Sequence, residues 1–535
     1  MSGKVTGISG STVYVDVKGL KLFERVYVGH QMLAGEVVRL DRDRAVVQVY
    51  EDTRGLGVNE PAKGTGAPLT VRLGPGLLSG MFDGLQRPLE RLRDETGPFI
   101  RIGKETHALD YSVRRRFVPL RKEGDEVAPG ENIGFVEEGA FKHFIAAGGR
   151  SGKRLSWTAD GDVGLGEPVG AFEDGETIMG YIEWPVRVRR PVRRKLPASG
   201  PIVTGQRSID FLFPLARGGT AILPGGFGTG KTILEQSIAK LADVDIVVYV
   251  GCGERGNEMA EMIEEFLTLK DHWTGRRLME RTILVVNTSN MPVAAREASI
   301  YTAVTMAEYY RDMGYHVLFL ADSLSRWAEA LREISSSLEE MPGEEGYPTY
   351  LASRLSGFIQ RAGVVETFSG ATGSLSMVLS VSPPGADFSE PVTQACLRAG
   401  GAFLMLDTSL AHRRHFPAIN WFQSYSLYAK DTTEFYLKKV SPEWSALTLR
   451  CREILQKEEA LIEVSEIVGI GGLQDADRLV MKVAEMIRTE FLAQNAYTED
   501  AFSPPEKTFA IIKKILDHYD NASARVKQGM GLEEL

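Results

Sequence analysis

The feature that most constrains how this chain folds is a glycine-rich loop between an apolar run and a helix-forming stretch. Residues 224–232 read P-G-G-F-G-T-G-K-T and match the pattern G-x-x-x-x-G-K-[ST]. An apolar run at residues 220–223 precedes the loop, and a helix-compatible stretch at residues 232–241 follows it. A loop in this context directs consecutive backbone N–H groups at one cluster of phosphates. The sequence therefore predicts a P-loop rather than a chance glycine-rich turn, with a nucleoside triphosphate as the leading ligand.

The positions of this loop have separate expected roles. Lys231 places a positive charge near the β- and γ-phosphates, and Thr232 offers its hydroxyl to Mg²⁺. The glycines allow the backbone to curl tightly. The other predicted nucleotide-binding residues of the loop are Gly225, Gly226, Phe227, Gly228, Thr229 and Gly230.

Two further motifs place acidic residues after apolar runs. Residues 316–322 form a run that ends in Asp322, the pattern of a Walker-B strand whose acid holds Mg²⁺ through water. Residues 245–250 form a second run, which leads to Glu254 and Arg255. At the carboxyl edge of a parallel sheet, Glu254 would polarise the attacking water and Arg255 would steady developing charge. The alternative for Glu254 is a surface acid that caps a helix N-terminus.

Six segments of distinctive sequence are spread over the chain. They are 250–258 (VGCGERGNE), 287–299 (NTSNMPVAAREAS), 321–334 (ADSLSRWAEALREI), 341–348 (MPGEEGYP), 382–391 (SPPGADFSEP) and 415–421 (HFPAINW). Together with the P-loop, these segments resemble the catalytic A subunit of the V-type and archaeal-type (A-type) rotary ATPases. The resemblance extends over nearly the whole chain.

The resemblance implies an enzyme that hydrolyses or synthesises ATP, with Mg²⁺ as cofactor, in an alternating A3B3 ring with a non-catalytic B-type subunit. ATP sites would lie at the A/B interfaces, and an arginine finger would come from the B subunit. The resemblance further implies central and peripheral stalk subunits and an ion-conducting membrane sector that moves H⁺ or Na⁺.

The resemblance also assigns roles to single residues. Lys231 and Thr232 resemble the phosphate and Mg²⁺ contacts, Glu254 the general base, Arg255 its neighbouring arginine, and Asp322 the Walker-B acid. A second set concerns the base of the nucleotide. Phe416 resembles an aromatic that stacks on adenine, and Tyr497 and Phe502 are weaker candidates for a second wall of that pocket.

The pattern along the chain predicts a multidomain α/β protein. Residues 1–70 alternate apolar and polar positions between glycine-containing turns, which is typical of a small N-terminal β-barrel. Residues 71–109 are a connector, and residues 110–189 form a β-rich bulge insertion with repeated Gly-Asp and Gly-Glu turns. Residues 190–440 alternate buried strands with helices, which predicts a RecA-like parallel-sheet domain that carries the P-loop.

The last part of the chain, residues 441–535, has helical spacing and predicts a helical bundle. Between residues 476 and 494, apolar residues recur at i, i+3/4 and i+7, namely Leu479, Val480, Val483, Met486, Ile487 and Phe491. The glycine-rich turn at residues 469–477 reads as a helix C-cap joined to the next N-cap. By resemblance it also corresponds to the turn that contacts the rotor, through Leu473, Gln474, Asp475 and Asp477.

Composition and charge limit the other function classes. With 535 residues, 43% hydrophobic and 25% charged, the chain is long enough for several globular domains. A formal net charge of −9 argues against nucleic acid as a partner. Basic clusters at residues 114–116 and 187–195 are interpreted as solvated faces rather than phosphate sites, the second as a half-buried strand.

The sequence also bears on where the protein works. Three widely spaced cysteines exclude a disulfide framework and fit a reducing cytosol. The first residues carry no secretory signal pattern, and the apolar runs at 246–250 and 317–321 fall far short of the ~20 residues a membrane span needs. We therefore expect a cytoplasmic protein that is peripheral on the cytoplasmic face of a membrane through its partners.

Three other function classes stay open. A non-catalytic nucleotide-binding subunit is expected to lose Lys231 or Glu254, and both are present. An RNA or protein translocase is expected to have basic or aromatic loops and no insertion at residues 110–183. A purely structural ring component could keep all of these residues, and only an activity measurement separates it from an enzyme.

Overall fold

The computed structural model describes residues 1–41, 44–97, 103, 106–148, 152–198, 200–528 and 530–531. The chain forms two compact units. The first comprises Met1–Pro197, Val244–Leu379 and Ser389–Ala399. The second comprises Ala198–Asp243, Ser380–Phe388 and Gly400–Leu535. In the described part of the chain, no helix combines the length and the apolar character needed to cross a membrane.

A closed β-barrel begins the first unit. Its strands are β1 (Ser2–Ser9), β2 (Thr12–Asp16), β3 (Glu24–Val28), β4 (Leu33–Leu40), β5 (Ala45–Val49) and β6 (Pro61–Pro68). They pair in the order β1-β2-β5-β4-β3-β6. Because successive side chains of a strand face opposite sides, alternate residues point inward and fill the barrel, among them Val5, Val13, Val15, Val26 and Val47. The predicted N-terminal β-barrel is confirmed.

A connector and a β-rich region follow. The connector contains β7 (Thr70–Leu73), β8 (Met81–Phe82) and α1 (Leu89–Thr96). The β-rich region contains β9 (Arg114–Pro119), β10 (Glu126–Val127), β11 (Asn132–Glu138), β12 (Phe141–Ala146), β13 (Lys153–Thr158), β14 (Gly161–Gly164), β15 (Pro168–Phe172) and β16 (Thr177–Met179). Its two sheets, β10-β13-β15-β16 and β12-β11-β9-β14, contribute to one apolar core that includes Phe117, Val136 and Leu155. Strand β17 (Ile182–Pro185) returns to pair with β7, and β18 (Arg194–Leu196) follows.

The chain then enters the second unit for the first time. This segment contains β19 (Pro201–Ile202), a π-helical turn (Ser208–Leu212), β20 (Leu215–Ala216), β21 (Thr220–Pro224) and α2 (Lys231–Leu241). The strand and helix predicted on either side of the P-loop are therefore both present.

A parallel sheet forms the centre of the first unit. The strands are β22 (Ile246–Glu254), β23 (Thr282–Thr288), β24 (His316–Asp322), β25 (Gly363–Glu366) and β26 (Thr372–Val381). Strands β26, β24, β22, β23 and β8 run parallel in that order, and β25 pairs antiparallel to β26. The helices of this region are α3 (Gly256–Thr268), α4 (Val293–Asp312), α5 (Leu324–Ser337), α6 (Leu351–Ile359) and α7 (Pro391–Ala399). The strands are nearly continuous apolar runs because both faces of such a sheet are covered.

The rest of the second unit contains two short strands and a helical region. Strand β27 (Ala402–Phe403) runs parallel to β21, and β28 (Tyr425–Ser426) runs antiparallel to β27. The helices are α8 (Thr408–His412), α9 (Ala429–Lys439), α10 (Trp444–Val468), α11 (Asp475–Met486) and α12 (Pro505–Lys527). A π-helical turn, Ile487–Leu492, extends α11. Residues Leu479, Val480, Val483, Ile487 and Phe491 are buried, so the predicted apolar stripe and helical bundle are confirmed.

In the glycine-rich segment at residues 469–477, residues 469–474 join α10 to α11, and Asp475 and Asp477 lie in the first turn of α11. Gly469 follows α10 with a positive φ of 76°, a conformation that favours glycine at this position. Asp477 pairs with Lys457 at 2.9 Å and Asp475 with Arg478 at 3.2 Å, so both acids have partners within the helical region. The rotor role assigned to this turn stays a prediction.

The interpretation of residues 187–195 as a half-buried strand with a solvated face is wrong for its first residues. Strand β18 begins only at Arg194. The Arg187 guanidinium, in a side chain that is 16% exposed, lies between two buried carboxylates, Glu36 of the barrel at 2.7 Å and Glu297 of α4 at 2.6 Å. Burial is the largest single influence and would raise the pKa of Glu297, but the Arg187 charge, the hydrogen bonds from Arg187 and the Arg354 charge together lower it. Arg187 therefore joins the barrel to α4 through a buried ion triad.

Replacing Arg187 with methionine should lower the free energy of unfolding by about 3–5 kcal/mol, because two buried carboxylates would lose their cation. Urea unfolding of the isolated chain measures this effect. Arg193 is the matched control, since it is exposed and pairs with Glu366 at 3.0 Å. Arg193→Met should cost less than about 1 kcal/mol. Equal losses in the two variants would contradict the assignment of Arg187 as a structural link.

Candidate functional site

The P-loop runs from the end of β21 to the start of α2 within the second unit. Gly228 and Gly230 have φ values of 78° and 83°, which glycine adopts without strain and which allow the loop to curl. Helix α2 begins at Lys231, so the N–H groups of its first turn lie at the loop and favour an anion. Phe227 at the tip of the loop is 87% exposed.

Hydrogen bonds across the loop hold its shape. The buried Thr229 hydroxyl donates to the Gly226 carbonyl at 2.8 Å. The Lys231 ammonium donates to the carbonyls of Gly225 at 2.7 Å and Gly226 at 2.9 Å, so it lies over the loop itself. Thr232, in the first turn of α2, is exposed. The loop therefore presents backbone N–H groups, an ammonium and a hydroxyl together, which is the chemistry of a phosphate site.

A cavity of about 970 Å³ adjoins this loop in the second unit. Its lining includes Thr229 and Gly230 of the P-loop and the aromatic residues Phe416 and Tyr497. A Cβ on Gly230 would come within 3.4 Å of the Phe416 ring, so this ring lies directly against the loop. Phe416 is 40% exposed and Tyr497 is 82% exposed, which leaves both rings able to contact a ligand. The cavity thus combines a phosphate loop with aromatic walls.

Phe502 lies elsewhere. Among the described residues, it is not one of those that line the cavity. Its ring instead packs against Gly205, where an added Cβ would come within 2.2 Å of the ring. Of the three aromatic residues predicted for the base pocket, the structure brings Phe416 and Tyr497 together.

The predicted carboxylates lie in the first unit, on neighbouring parallel strands. Glu254 ends β22 and Asp322 ends β24, and Gly251 of β22 is in register with Asp322. The Ser323 hydroxyl donates to Glu254 Oε1 at 3.0 Å. Burial and, secondly, the negative charge of Asp322 raise the pKa of Glu254 to about 7. A carboxylate with such a pKa is suited to proton transfer near neutral pH.

Two arginines lie close in sequence to these acids. Arg255 is 65% exposed and faces Glu258 at 3.6 Å. Arg326, in the first turn of α5, pairs with Glu329, and its positive charge acts on Glu254. Sequence reasoning missed Arg326. The available signal was its spacing, four residues after Asp322 at the start of a helix.

Comparison with known proteins identifies the family of this chain. The model of the ATP synthase alpha/beta family, nucleotide-binding domain, matches residues 205–426. The models of the family's beta-barrel domain and barrel-sandwich domain match residues 5–66 and 106–187. The C-terminal domain of V and A type ATP synthase matches residues 433–535. Among curated proteins, the A subunit of the A-type ATP synthase of Methanopyrus kandleri is 51% identical, covering 100% of this chain and 92% of that protein. The chain belongs to the A-subunit family of the A-type and V-type ATP synthases.

Other members of this family are similarly close. The A subunit of the A-type ATP synthase of Thermococcus onnurineus is 49% identical over 100% of this chain and 93% of that protein. The V-type ATP synthase alpha chain of Anaeromyxobacter sp. (strain K) is 49% identical, with the same two coverages. The resemblance drawn from the sequence motifs is confirmed, as is the prediction of an ATP-dependent enzyme.

A solved structure shows the same fold at lower identity. The assembled ATPase EscN from the type III secretion system of enteropathogenic E. coli superposes with a TM-score of 0.70 at 21% identity. The match covers 96% of this chain and 100% of that chain. The predicted fold class, a β-barrel with a nucleotide-binding α/β domain and a C-terminal helical domain, is thereby confirmed.

Proposed function

We propose that this member of the A-subunit family is the catalytic subunit, which hydrolyses or synthesises ATP at interfaces with B-type subunits. The observation that carries the proposal is the cavity of the second unit, in which the Phe416 ring lies against Gly230 of the P-loop. A phosphate-binding loop next to an aromatic wall fits a nucleotide with its phosphates on the loop and its base on the ring.

The P-loop residues 225–232 supply the phosphate contacts in this proposal. Lys231 would exchange the carbonyls of Gly225 and Gly226 for phosphate oxygens when the nucleotide binds. Backbone N–H groups of the loop and of the first turn of α2 would offset the charge that spreads over the γ-phosphate during transfer.

Mg²⁺ is the proposed cofactor, with Thr232 and Asp322 as the residues that would hold it. A hydroxyl and a carboxylate are oxygen ligands, which Mg²⁺ prefers, and this ion usually keeps several waters and binds substrate phosphates. The ion would help to neutralise the phosphates.

Glu254 is the proposed general base, and Arg255 would steady charge beside it. The raised pKa of Glu254, about 7, makes this carboxylate a stronger base than an exposed glutamate. Its hydrogen bond from Ser323 fixes its orientation.

The proposal includes the assembly. The chain would alternate with B-type subunits in an A3B3 ring, contact central and peripheral stalk subunits, and couple to H⁺ or Na⁺ movement through a membrane sector. It would thus be a cytoplasmic subunit, peripheral on the membrane, without nucleic acid as a partner. Torque would pass through the turn at residues 469–477. The proposed domain limits are 1–70, 71–109, 110–189, 190–440 and 441–535.

The proposal is tested by ATP hydrolysis of the chain before and after it is mixed with a B-type subunit. Hydrolysis that stays at background in a correctly formed ring would overturn the catalytic role and favour a structural ring component.

The base site gives a separate prediction. Phe416→Ala should raise the nucleotide KM several-fold, because an aromatic on adenine contributes about 0.5–1.5 kcal/mol beyond area burial. Phe416→Tyr and Phe416→Trp should stay near wild type, since both keep a stacking ring. Phe422→Ala is the matched control, because Phe422 has similar exposure and is not among the described residues that line the cavity. If Phe416→Ala bound ATP as well as the wild type, the stacking contact with adenine would have to be assigned to Tyr497 instead.

A further inference from the structure

The cavity beside the P-loop has a second wall, which we call the base wall, formed by residues 493–497 and Asp500. Residues 493–498 belong to no helix or strand and lie between the π-helical turn Ile487–Leu492 and the short 3-10 turn Glu499–Ala501. Because no helix or strand ladder fixes this segment, its position depends on side-chain contacts and on two backbone hydrogen bonds, from the Ala493 N–H to the Arg488 carbonyl at 2.9 Å and from the Gln494 N–H to the Phe416 carbonyl at 2.7 Å.

Arg207 supplies several of these contacts. Its side chain is 2% exposed. Its Nε donates to the Phe491 carbonyl at 2.6 Å, and one Nη donates to the Ala493 carbonyl at 2.6 Å. Both terminal nitrogens also bind the Asp500 carboxylate, one of them at 2.8 Å. One planar guanidinium therefore holds both ends of the base wall.

Gln494 completes the attachment from within the base wall. Its side-chain oxygen accepts from the Arg207 backbone N–H at 2.8 Å, and its amide donates to the carbonyls of Gly205 at 2.7 Å and Asp500 at 2.8 Å. Its own backbone N–H donates to the Phe416 carbonyl at 2.7 Å. The base wall is thus connected at both ends to Arg207 and, near its start at Gln494, to the residue that carries the stacking ring.

We infer that Arg207 is a positioning residue for base recognition, which sets the base wall against Phe416. The inference rests on the proposed function, because it assumes that the cavity binds the base of a nucleotide. Arg207 does not line the cavity among the described residues, so it acts through Ala493, Gln494 and Asp500.

The P-loop contacts do not depend on Arg207. Thr229 and Lys231 bond to carbonyls within their own loop. Loss of Arg207 should remove the donors to the Ala493 carbonyl and the Asp500 carboxylate of the base wall and allow the wall to move away, while the phosphate contacts stay in place. We therefore expect the loss of Arg207 to weaken the binding of ATP, which carries a nucleotide base, but not the binding of a phosphate chain that has no base.

The experiment compares Mg-ATP and Mg-tripolyphosphate binding to the isolated full chain by calorimetry. Arg207→Ala should weaken ATP binding by about tenfold and reduce the preference for ATP over GTP. Its affinity for tripolyphosphate should stay within about twofold of wild type. Arg207→Lys should fall between wild type and alanine, because lysine keeps a charge opposite Asp500 but lacks the planar fork.

Arg452 provides a matched control. It also joins the helical region to the segment that carries Arg207, by donating to the Leu212 carbonyl and lying over the Phe213 ring. Both of these contacts lie outside the base wall, and among the described residues Arg452 does not line the cavity. Arg452→Ala should therefore keep wild-type affinity for both ligands. Circular dichroism verifies the fold of each variant, and Arg207→Lys decides the question if Arg207→Ala does not fold.

The outcomes distinguish a failure of the proposed function from a failure of the positioning role of Arg207. Wild-type chain that fails to bind ATP would overturn the proposed function. If the wild-type chain binds ATP and the Arg207 variants bind it with the same affinity, only the positioning role of Arg207 would be overturned. Equal losses of ATP and tripolyphosphate would also overturn it, because Arg207 would then act on the whole unit and not on the base wall. In the assembled ring, a positioning role should raise the KM for ATP and leave kcat largely unchanged.

Discussion

Mixing this chain with a B-type subunit should raise its ATP turnover by about 10³–10⁵, because a transition-state arginine supplied in trans has an effect of this size in phosphoryl transfer. The arginines close in sequence to the proposed catalytic acids each face a carboxylate in the first turns of the following helix. Arg255 faces Glu258 at 3.6 Å, and Arg326 binds Glu329 at 2.9 Å. In the proposed function the site would be completed only at a subunit interface, so catalysis and ring formation should be coupled.

Light scattering measures the oligomeric state, and a coupled ATPase assay measures the turnover of the same sample. The chain alone should be monomeric or weakly associated with turnover near background, and the mixture should form a ring with high turnover. Lys231→Ala is the control, since it should enter the ring but bind nucleotide poorly. Full activity in a monomeric peak of the wild-type chain would show that the site needs no partner.

The parts of this site that local sequence encodes were predictable. The P-loop requires an apolar strand, glycines at fixed positions and a helix start, and all three are contiguous at residues 220–241. Asp322 and Glu254 follow buried strands, and parallel strands bring their carboxyl ends to one edge of a sheet. Phe416 was identified from resemblance, and the structure shows its ring against Gly230.

The parts that depend on distant segments were not predictable from the pattern. Arg187 reads as one position of a Val/Arg alternation, yet its partners Glu36 and Glu297 are 151 and 110 residues away. Arg207 likewise meets Asp500 at a separation of 293 residues. Periodicity reports the local secondary structure and cannot identify a carboxylate that the fold brings from another domain. Sequence periodicity therefore does not predict ion pairs between residues that are far apart in the chain.

Glu254→Gln should reduce the turnover of the assembled ring by about 10²–10⁴ and leave MgATP binding largely intact, because the change removes proton acceptance and keeps the shape. Glutamine can still accept the hydrogen bond that Ser323 donates to Glu254 Oε1. Lys231→Ala is the contrasting variant, since it should lose nucleotide affinity and turnover together. Single-turnover hydrolysis with an independent binding measurement distinguishes the two, and wild-type turnover in the Glu254→Gln ring would exclude Glu254 as the base.

The pH dependence of ATP turnover also tests the assignment of Glu254 as the base. Burial and then the Asp322 charge raise the pKa of Glu254 to about 7, so a large share of this carboxyl is protonated at neutral pH and cannot accept a proton. Turnover of the wild-type ring should therefore rise as the pH increases through the pKa of Glu254 and level off above it. Asp322 is the proposed Mg²⁺ residue, and an ion there would offset its charge and move the midpoint to lower pH. The Glu254→Gln ring should lose this rise, and a rise of equal size in that variant would assign it to a different group.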